Sequence, residues 1–123
     1  MEGFFEKYQQ LFLENSIRSK NGECVLWARK MQKTGYGAVK YKCPVTGQWK
    51  CTTAHRLSFM VATRHLDIGD KDVSHLCHNA LCIRADHLSA EPHDLNCERV
   101  KCVNRGKCQG HGEYPLCLLH LKL

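Results

Sequence analysis

Hydrophobic residues recur with the period of an α-helix in two stretches of the chain. In the first stretch they are spaced at i, i+4, i+7 and i+8, and they are Phe4, Tyr8, Leu11 and Phe12. In the second stretch they are Ala54, Leu57, Met60 and Val61. A repeated apolar face of this kind is typical of an amphipathic helix that packs against a core. We therefore predict helices over residues 3–17 and 53–65.

Between these helices, residues 23–53 have the composition of short strands. Aromatic and β-branched residues are concentrated in three runs, which are 24–27, 36–42 and 48–52. A Pro-Val-Thr-Gly turn separates the last two runs and predicts a hairpin. Side chains alternate between the faces of a strand, so we expect Lys40, Lys42 and Lys50 to share one face that contacts phosphates. The alternative is an ordinary solvated strand face.

The second half of the chain begins with a polar loop and continues into segments rich in cysteine and histidine. A third helix is predicted to start near residues 91–94, because proline suits a first helical position and acidic residues suit a first turn. Pro92 lies there between Glu91 and Asp94, and Asn96 follows on the same helix. After Lys101 the chain has no period of its own, which predicts a loop over residues 102–117. We expect residues 1–123 to form a single domain.

The density of thiols and imidazoles predicts metal binding. The chain has 123 residues, with nine cysteines and eight histidines, and an odd number of cysteines does not form a closed set of internal disulfides. Glu2 and Glu6 interrupt the apolar run that a secretory signal would need, and no segment approaches the roughly 20 apolar residues of a membrane span. We therefore predict a soluble, intracellular protein with reduced thiols.

One metal site is predicted around Cys77, Cys82 and His87, because these ligands lie within eleven residues. Their spacing allows a short loop to surround a tetrahedral zinc ion. The fourth ligand must come from elsewhere, and composition alone does not choose among the cysteines of the strand region. These candidates are Cys24, Cys43 and Cys51.

A second metal site is complete within residues 102–117. Its four ligands are Cys102, Cys108, His111 and Cys117. Both sites have four protein ligands available and none left for water, so we expect structural zinc ions that fix loops. His55 and His93 have no partner that spacing identifies.

The formal charge of +6 suits a polyanionic partner. His75 precedes the first zinc loop at the expected end of a strand, and Asn96 lies on the helix that follows. An imidazole anchored by a metal loop, opposite an amide oxygen on a helix, is suited to activating water beside a phosphate-bound cation. These two residues are therefore candidates for catalysis.

Residues 73–101 resemble the His-Cys box of intron-encoded homing endonucleases, in the ββα-metal or His-Me finger superfamily. The resemblance is carried by Ser74, His75, Leu76, Cys77, His78, Asn79, Cys82, His87, Leu88 and Asn96. Upstream, Cys24 resembles the family's remote cysteine, and Tyr36 with Gly37 resembles its Tyr-Gly strand. Residues 54–58 resemble the helix that precedes the motif in related HNH enzymes.

This resemblance implies an α+β, zinc-stapled ββα-metal fold with an antiparallel sheet and flanking helices. It implies that one zinc ion binds Cys24, Cys77, Cys82 and His87, and that a second binds Cys102, Cys108, His111 and Cys117. It also implies that His75 is the general base, with His78 as the alternative. Asn96 is then the ligand of one catalytic Mg²⁺, and Mn²⁺ would substitute for this ion. Where the family has an arginine on the hairpin, this chain has Gln48 and Lys50, which leaves Lys50 as a point charge.

The function implied is a metal-dependent endonuclease that hydrolyses DNA, expected to be double-stranded, and leaves 5′-phosphate and 3′-hydroxyl ends. We expect a nuclear protein with no membrane partner. RNA as substrate is equally compatible with these residues, as are a monomer and a homodimer. The alternative is a non-catalytic zinc module that binds nucleic acid or protein. The presence of both His75 and Asn96 argues against this module, since zinc binding needs neither residue.

Overall fold

The computed structural model describes residues 3–20 and 22–119. Its helices are α1 (Phe4–Glu14), α2 (Ala54–Thr63) and α3 (His93–Arg105). Its strands are β1 (Ser16–Arg18), β2 (Val25–Trp27), β3 (Ala38–Lys42), β4 (Trp49–Thr53), β5 (Asp72–His75) and β6 (Leu88–Glu91). A short 3₁₀ turn (Ala85–His87) precedes β6. The mixture of helices and antiparallel strands is the predicted α+β class.

The main core lies between α1 and α2. The apolar faces expected from the sequence are buried there, with Phe4, Tyr8 and Phe12 from α1 and Leu57, Met60 and Val61 from α2. The Phe12 ring also meets the Trp27 ring edge-on, with centroids 5.5 Å apart. Helix α1 ends at Glu14 and not at residue 17, because Asn15 Nδ2 donates to the Leu11 carbonyl at 2.7 Å and the following residues pair with β2.

The strands form three antiparallel pairs within the described residues, where the sequence predicted one sheet. The pairs are β1–β2, β3–β4 and β5–β6. Strand β6 was not predicted, because its residues (LSAE) alternate between apolar and polar types over only four positions, and its buried residues are one apolar and one charged, Leu88 and Glu91. Its pairing with β5 sets His75 opposite Leu88 and brings the start of α3 beside the start of β5.

Gly37 allows the strand region to approach α2 closely. A Cβ atom at this position would lie 2.6 Å from Trp27 Cδ1 and 2.9 Å from Ala54 Cβ. Both distances are too short for real contacts, so only glycine fits without displacing Trp27 or the start of α2. This close approach places Tyr36 over the first turn of α2, where His55 lies.

The prediction of a loop that begins at residue 102 is wrong, because helix α3 includes the first residues of that segment. The helix continues to Arg105 and ends at Gly106, whose φ of 73° is readily adopted by glycine. Its sequence lacks the apolar periodicity of a core helix, and polar contacts hold the helix in place instead. Arg99 is buried and donates two hydrogen bonds to the buried Glu91 carboxylate, at 2.7 and 2.5 Å. Cys102, on its last turn, is also fully buried.

Candidate metal centres and active-site cavity

The first group of metal ligands brings together residues from two distant parts of the sequence. Ligand atoms of Cys24, Cys77, Cys82 and His87 all lie within 4.8 Å of one another, and all four residues are buried. His87 Nδ1 is 3.7 Å from Cys24 Sγ and 3.6 Å from Cys82 Sγ. Of the other candidates for the fourth ligand, Cys43 packs in the helical core and Cys51 is exposed. The structure therefore places Cys24 in this group.

Main-chain hydrogen bonds hold the loop that carries this group against β2. The Trp27 N–H donates to the Leu81 carbonyl at 2.8 Å, and the Ile83 N–H donates to the Val25 carbonyl at 2.7 Å. His78 turns the loop with a positive φ of 58°. The loop is thereby attached to the strand that follows Cys24, which explains how ligands so distant in sequence converge.

The chemistry of the group suits a cation. Burial raises the pKa of the Cys24 thiol to about 11. The hydrogen bond between Cys77 and Cys82, together with burial, raises the pKa of Cys77, whereas the hydrogen bond from Cys77 lowers that of Cys82 to about 5. Three thiolates in an apolar setting repel one another and need a positive ion to coexist. A Cys₃His set of this kind fits a structural zinc ion.

The second group also has three cysteines and one histidine, and it lies at the end of α3. His111 Nε2 is 3.4 Å from Cys102 Sγ, 3.2 Å from Cys108 Sγ and 3.6 Å from Cys117 Sγ. Its other nitrogen, Nδ1, donates to Glu98 at 3.1 Å, which fixes the ring as is usual for zinc-binding histidines. Together the two groups fit two structural zinc ions.

A cavity of about 390 Å³ lies between the first metal group, the start of α2 and the start of α3. Its lining includes both predicted catalytic residues, His75 and Asn96. The other polar or aromatic lining residues are Tyr36, Thr53, His55, Arg56, Asp72, His78 and Arg99. The fold thus brings the two predicted residues to one concave surface.

His75 is held by its neighbours in a defined protonation state. Its Nε2 lies 3.0 Å from the Cys82 carbonyl oxygen, which only accepts, so Nε2 carries the proton and Nδ1 keeps a lone pair. Its ring stacks on Tyr36 at 5.9 Å and lies 4.1 Å from the His55 ring. Burial, followed by the neighbouring His55, lowers the pKa of His75 to about 3. The imidazole is therefore uncharged, with its lone pair on Nδ1.

Asn96, the fourth residue of α3, is hydrogen-bonded on both sides of its amide. Its Oδ1 accepts from the Ser74 hydroxyl at 2.7 Å, and its Nδ2 donates to Asp72 Oδ2 at 3.1 Å. The same Asp72 oxygen also accepts from His93 Nδ1 at 2.6 Å. Asn96 and Asp72 both line the cavity, where the Asn96 amide oxygen is a hard donor of the type that suits Mg²⁺.

Sequence reasoning missed Asp72 and His55, although both line the cavity. Asp72 lies in a segment that the sequence presents as a polar loop, and its partners on α3 follow more than twenty residues later. His55 is buried against His75, and burial lowers its pKa to about 4. Neither residue has a neighbour in sequence that indicates its place, because both contacts depend on tertiary packing.

The β3–β4 hairpin presents a basic face, but the face differs from the predicted one. Lys40 is paired with Cys51 and Lys42 with Trp49, and all four side chains are exposed. Lys50 is paired with the buried Tyr41. Residues directly opposite in an antiparallel pair share a face, so the prediction that Lys50 shares the face of Lys40 and Lys42 is wrong.

Comparison with known proteins agrees with this geometry. The family model for the zinc-binding loop region of homing endonuclease matches residues 21–117, a range that contains both metal groups and the cavity residues. No curated protein and no solved structure matches the chain. Within residues 3–20 and 22–119, no helix is long and apolar enough to cross a membrane. The chain belongs to the homing endonuclease family defined by this zinc-binding loop region, the His-Cys box family that its sequence resembles.

Proposed function

We propose that this protein is a Mg²⁺-dependent endonuclease that hydrolyses phosphodiester bonds in DNA, with His75 as general base. One observation carries the proposal: the hydrogen bond from His75 Nε2 to the Cys82 carbonyl fixes the tautomer of the uncharged imidazole that has its lone pair on Nδ1. The Cys82 side chain belongs to the first metal group, so the loop that binds zinc also fixes the tautomer of the base. A base of this kind can accept a proton from water.

The proposed roles of the chain's residues follow from their protonation and hydrogen bonds. His75 Nδ1 takes the proton of the water molecule that attacks phosphorus, and the ring is kept in place by Tyr36 and His55. Asn96 Oδ1 would hold the catalytic cation, which when bound supplies positive charge to the phosphate oxygens and to the leaving 3′-oxygen. The products then have 5′-phosphate and 3′-hydroxyl ends.

A non-catalytic zinc module accounts less well for the cavity. Neither His75 nor Asn96 belongs to either metal group, so neither is needed to bind zinc. A purely structural module would gain nothing from a buried, uncharged imidazole beside a half-buried amide and a carboxylate. The arrangement instead combines a base with an amide oxygen for a hard cation, as metal-assisted hydrolysis of a phosphodiester needs.

Plasmid cleavage tests the proposed activity. Zinc-loaded protein is incubated with supercoiled plasmid and Mg²⁺, and a matched sample contains Mg²⁺ with excess chelator added just before the substrate. We expect nicked or linear DNA only where Mg²⁺ is free. A parallel incubation with structured RNA decides between the two nucleic acids. Supercoiled plasmid that stays intact at every Mg²⁺ concentration would contradict the proposal.

The exposed hairpin face supports DNA binding next to the cavity. Lys40, Lys42 and Trp49 share this face with Thr53, which lines the cavity at the end of β4. A two-stranded ribbon fits the major groove of DNA, where lysines can contact phosphates on either side. We propose that the DNA backbone follows this face and enters the cavity near Thr53.

The two lysines of this face predict a specific change in salt dependence. Replacing Lys40 and Lys42 together with alanine should weaken DNA binding and reduce the slope of log affinity against log salt by about 0.9 for each lost phosphate contact. Lys50→Ala is the matched control, because it removes one positive charge from the opposite face of the same hairpin. Fluorescence anisotropy over a salt series measures both. A slope change in Lys50→Ala of about half that of the double variant would assign the effect to overall charge.

A further inference from the structure

The amide of Asn96 has two hydrogen-bond partners, and one of them can bond only to the amide nitrogen. Asp72 Oδ2 is an acceptor only, so the side of the amide that faces it must be the Nδ2 donor. On the other side lies the Ser74 hydroxyl, which both donates and accepts. It donates to Oδ1 at 2.7 Å as observed, and it could accept from Nδ2 if the amide were reversed. Ser74 therefore tolerates either orientation of the amide, whereas Asp72 does not.

From this we propose, on the basis of the proposed function, that Asp72 is a positioning residue for the catalytic cation site. It accepts a hydrogen bond from Asn96 Nδ2 and so holds Oδ1, the metal-binding atom of the amide, on the side away from its own carboxylate. Without it, the amide is free to rotate and to present its NH₂ group, which repels a cation. Asp72 acts through Asn96 and is not itself a catalytic residue.

The position of Asp72 in the fold couples this role to the proposed base. Asp72 is the first residue of β5 and His75 is the last, so one short strand carries both the positioning carboxylate and the base. The β5–β6 pairing then sets Asp72 opposite Glu91, two residues before the start of α3. His93 donates to the same Asp72 oxygen and restricts how that carboxylate rotates.

The test replaces Asp72 with asparagine, which has nearly the same shape but presents either an oxygen or an NH₂ group to Asn96. Binding of Mn²⁺ to zinc-loaded protein is measured by electron paramagnetic resonance of the free ion, with no DNA and no turnover. Mn²⁺ is the weakest competitor for thiolate sites, so it leaves the zinc groups intact. We expect Asp72→Asn to weaken Mn²⁺ binding by about tenfold or more. Zinc content and melting temperature should stay close to wild type.

Two controls separate orientation from charge. Asp94→Asn removes the same charge from an exposed position on the first turn of α3 and should leave Mn²⁺ affinity near wild type. In the Asn96→Ala background there is no amide to orient, so adding Asp72→Asn should cause no further loss. Wild-type Mn²⁺ affinity in Asp72→Asn, an equal loss in Asp94→Asn, or an additive loss in the double variant would each overturn the proposal.

The same samples distinguish this inference from the proposed function. If wild-type protein binds Mn²⁺ and cleaves plasmid while Asp72→Asn binds Mn²⁺ equally well, only the role of Asp72 is wrong. If the wild-type protein binds Mn²⁺ in the predicted way but never cleaves DNA, the positioning role stands and the endonuclease proposal falls.

Discussion

Replacing His75 with alanine is expected to reduce DNA cleavage by a factor on the order of 10²–10⁴. The physical reason is that Nδ1 of the neutral imidazole is the proposed acceptor of the water proton, and alanine offers no acceptor. Single-turnover cleavage of supercoiled plasmid, with protein in excess over DNA, measures the loss at the chemical step. Added imidazole should restore part of the rate, because a small base can occupy the space that the side chain leaves.

The matched measurements for His75→Ala are zinc content and DNA binding. His75 lies outside both metal groups, so two zinc ions per chain should remain. DNA affinity should also stay close to wild type, since it comes mainly from basic groups that contact phosphates. A variant that keeps the wild-type cleavage rate would remove His75 from the role of base. A variant that loses zinc would show that the residue is structural.

Removal of zinc is expected to unfold the second half of the protein. A structural zinc ion contributes about 10–16 kcal/mol in small zinc domains, which equals or exceeds the total stability of about 5–15 kcal/mol of a typical domain. Between them the two metal groups link β2, the loop after β5, α3 and the segment up to Cys117. Circular dichroism during titration with a strong chelator should show loss of helical signal as zinc leaves.

Serine variants of two cysteines make this prediction specific to the assigned ligands. Cys24→Ser should reduce zinc from two ions per chain towards one and lower the melting temperature, because it opens the first group. Cys51→Ser should keep both ions, since Cys51 is exposed on the hairpin and lies outside both groups. Elemental analysis of the purified variants gives the stoichiometry. Two zinc ions in Cys24→Ser would contradict the assignment of Cys24 as a ligand.

The elements that depend on local patterns could be predicted from the sequence. The apolar faces of α1 and α2 follow a helical period, and the turn between β3 and β4 is marked by Pro44 and Gly47. The loop ligands of both metal groups were apparent because their spacing is short, whereas the choice of Cys24 over Cys43 and Cys51 came from the family resemblance alone. Spacing says nothing about which distant strand pairs with the loop.

The parts that were missed depend on tertiary contacts between polar residues. The later part of α3 looks like a loop in the sequence because the buried side chains of the helix are Arg99 and Cys102, an ion-pair partner and a member of the second metal group. Lys50 was placed on the wrong face because register across a hairpin decides which side chains are neighbours. Asp72 was overlooked because its contacts with Asn96 and His93 require the β5–β6 pairing.

The central claim is that the protein cleaves DNA in the cavity at His75 and Asn96, with a cation held by Asn96. The metal dependence of two variants tests this claim most directly. Plasmid cleavage by His75→Ala and Asn96→Ala is measured under single-turnover conditions over a wide range of Mn²⁺ concentration. Asn96→Ala should be defective at low Mn²⁺ and recover part of its rate at high Mn²⁺, because more metal compensates for a lost ligand. His75→Ala should stay defective throughout, since metal cannot replace a base. Wild-type cleavage by both variants, with contaminating nuclease excluded, would contradict the account.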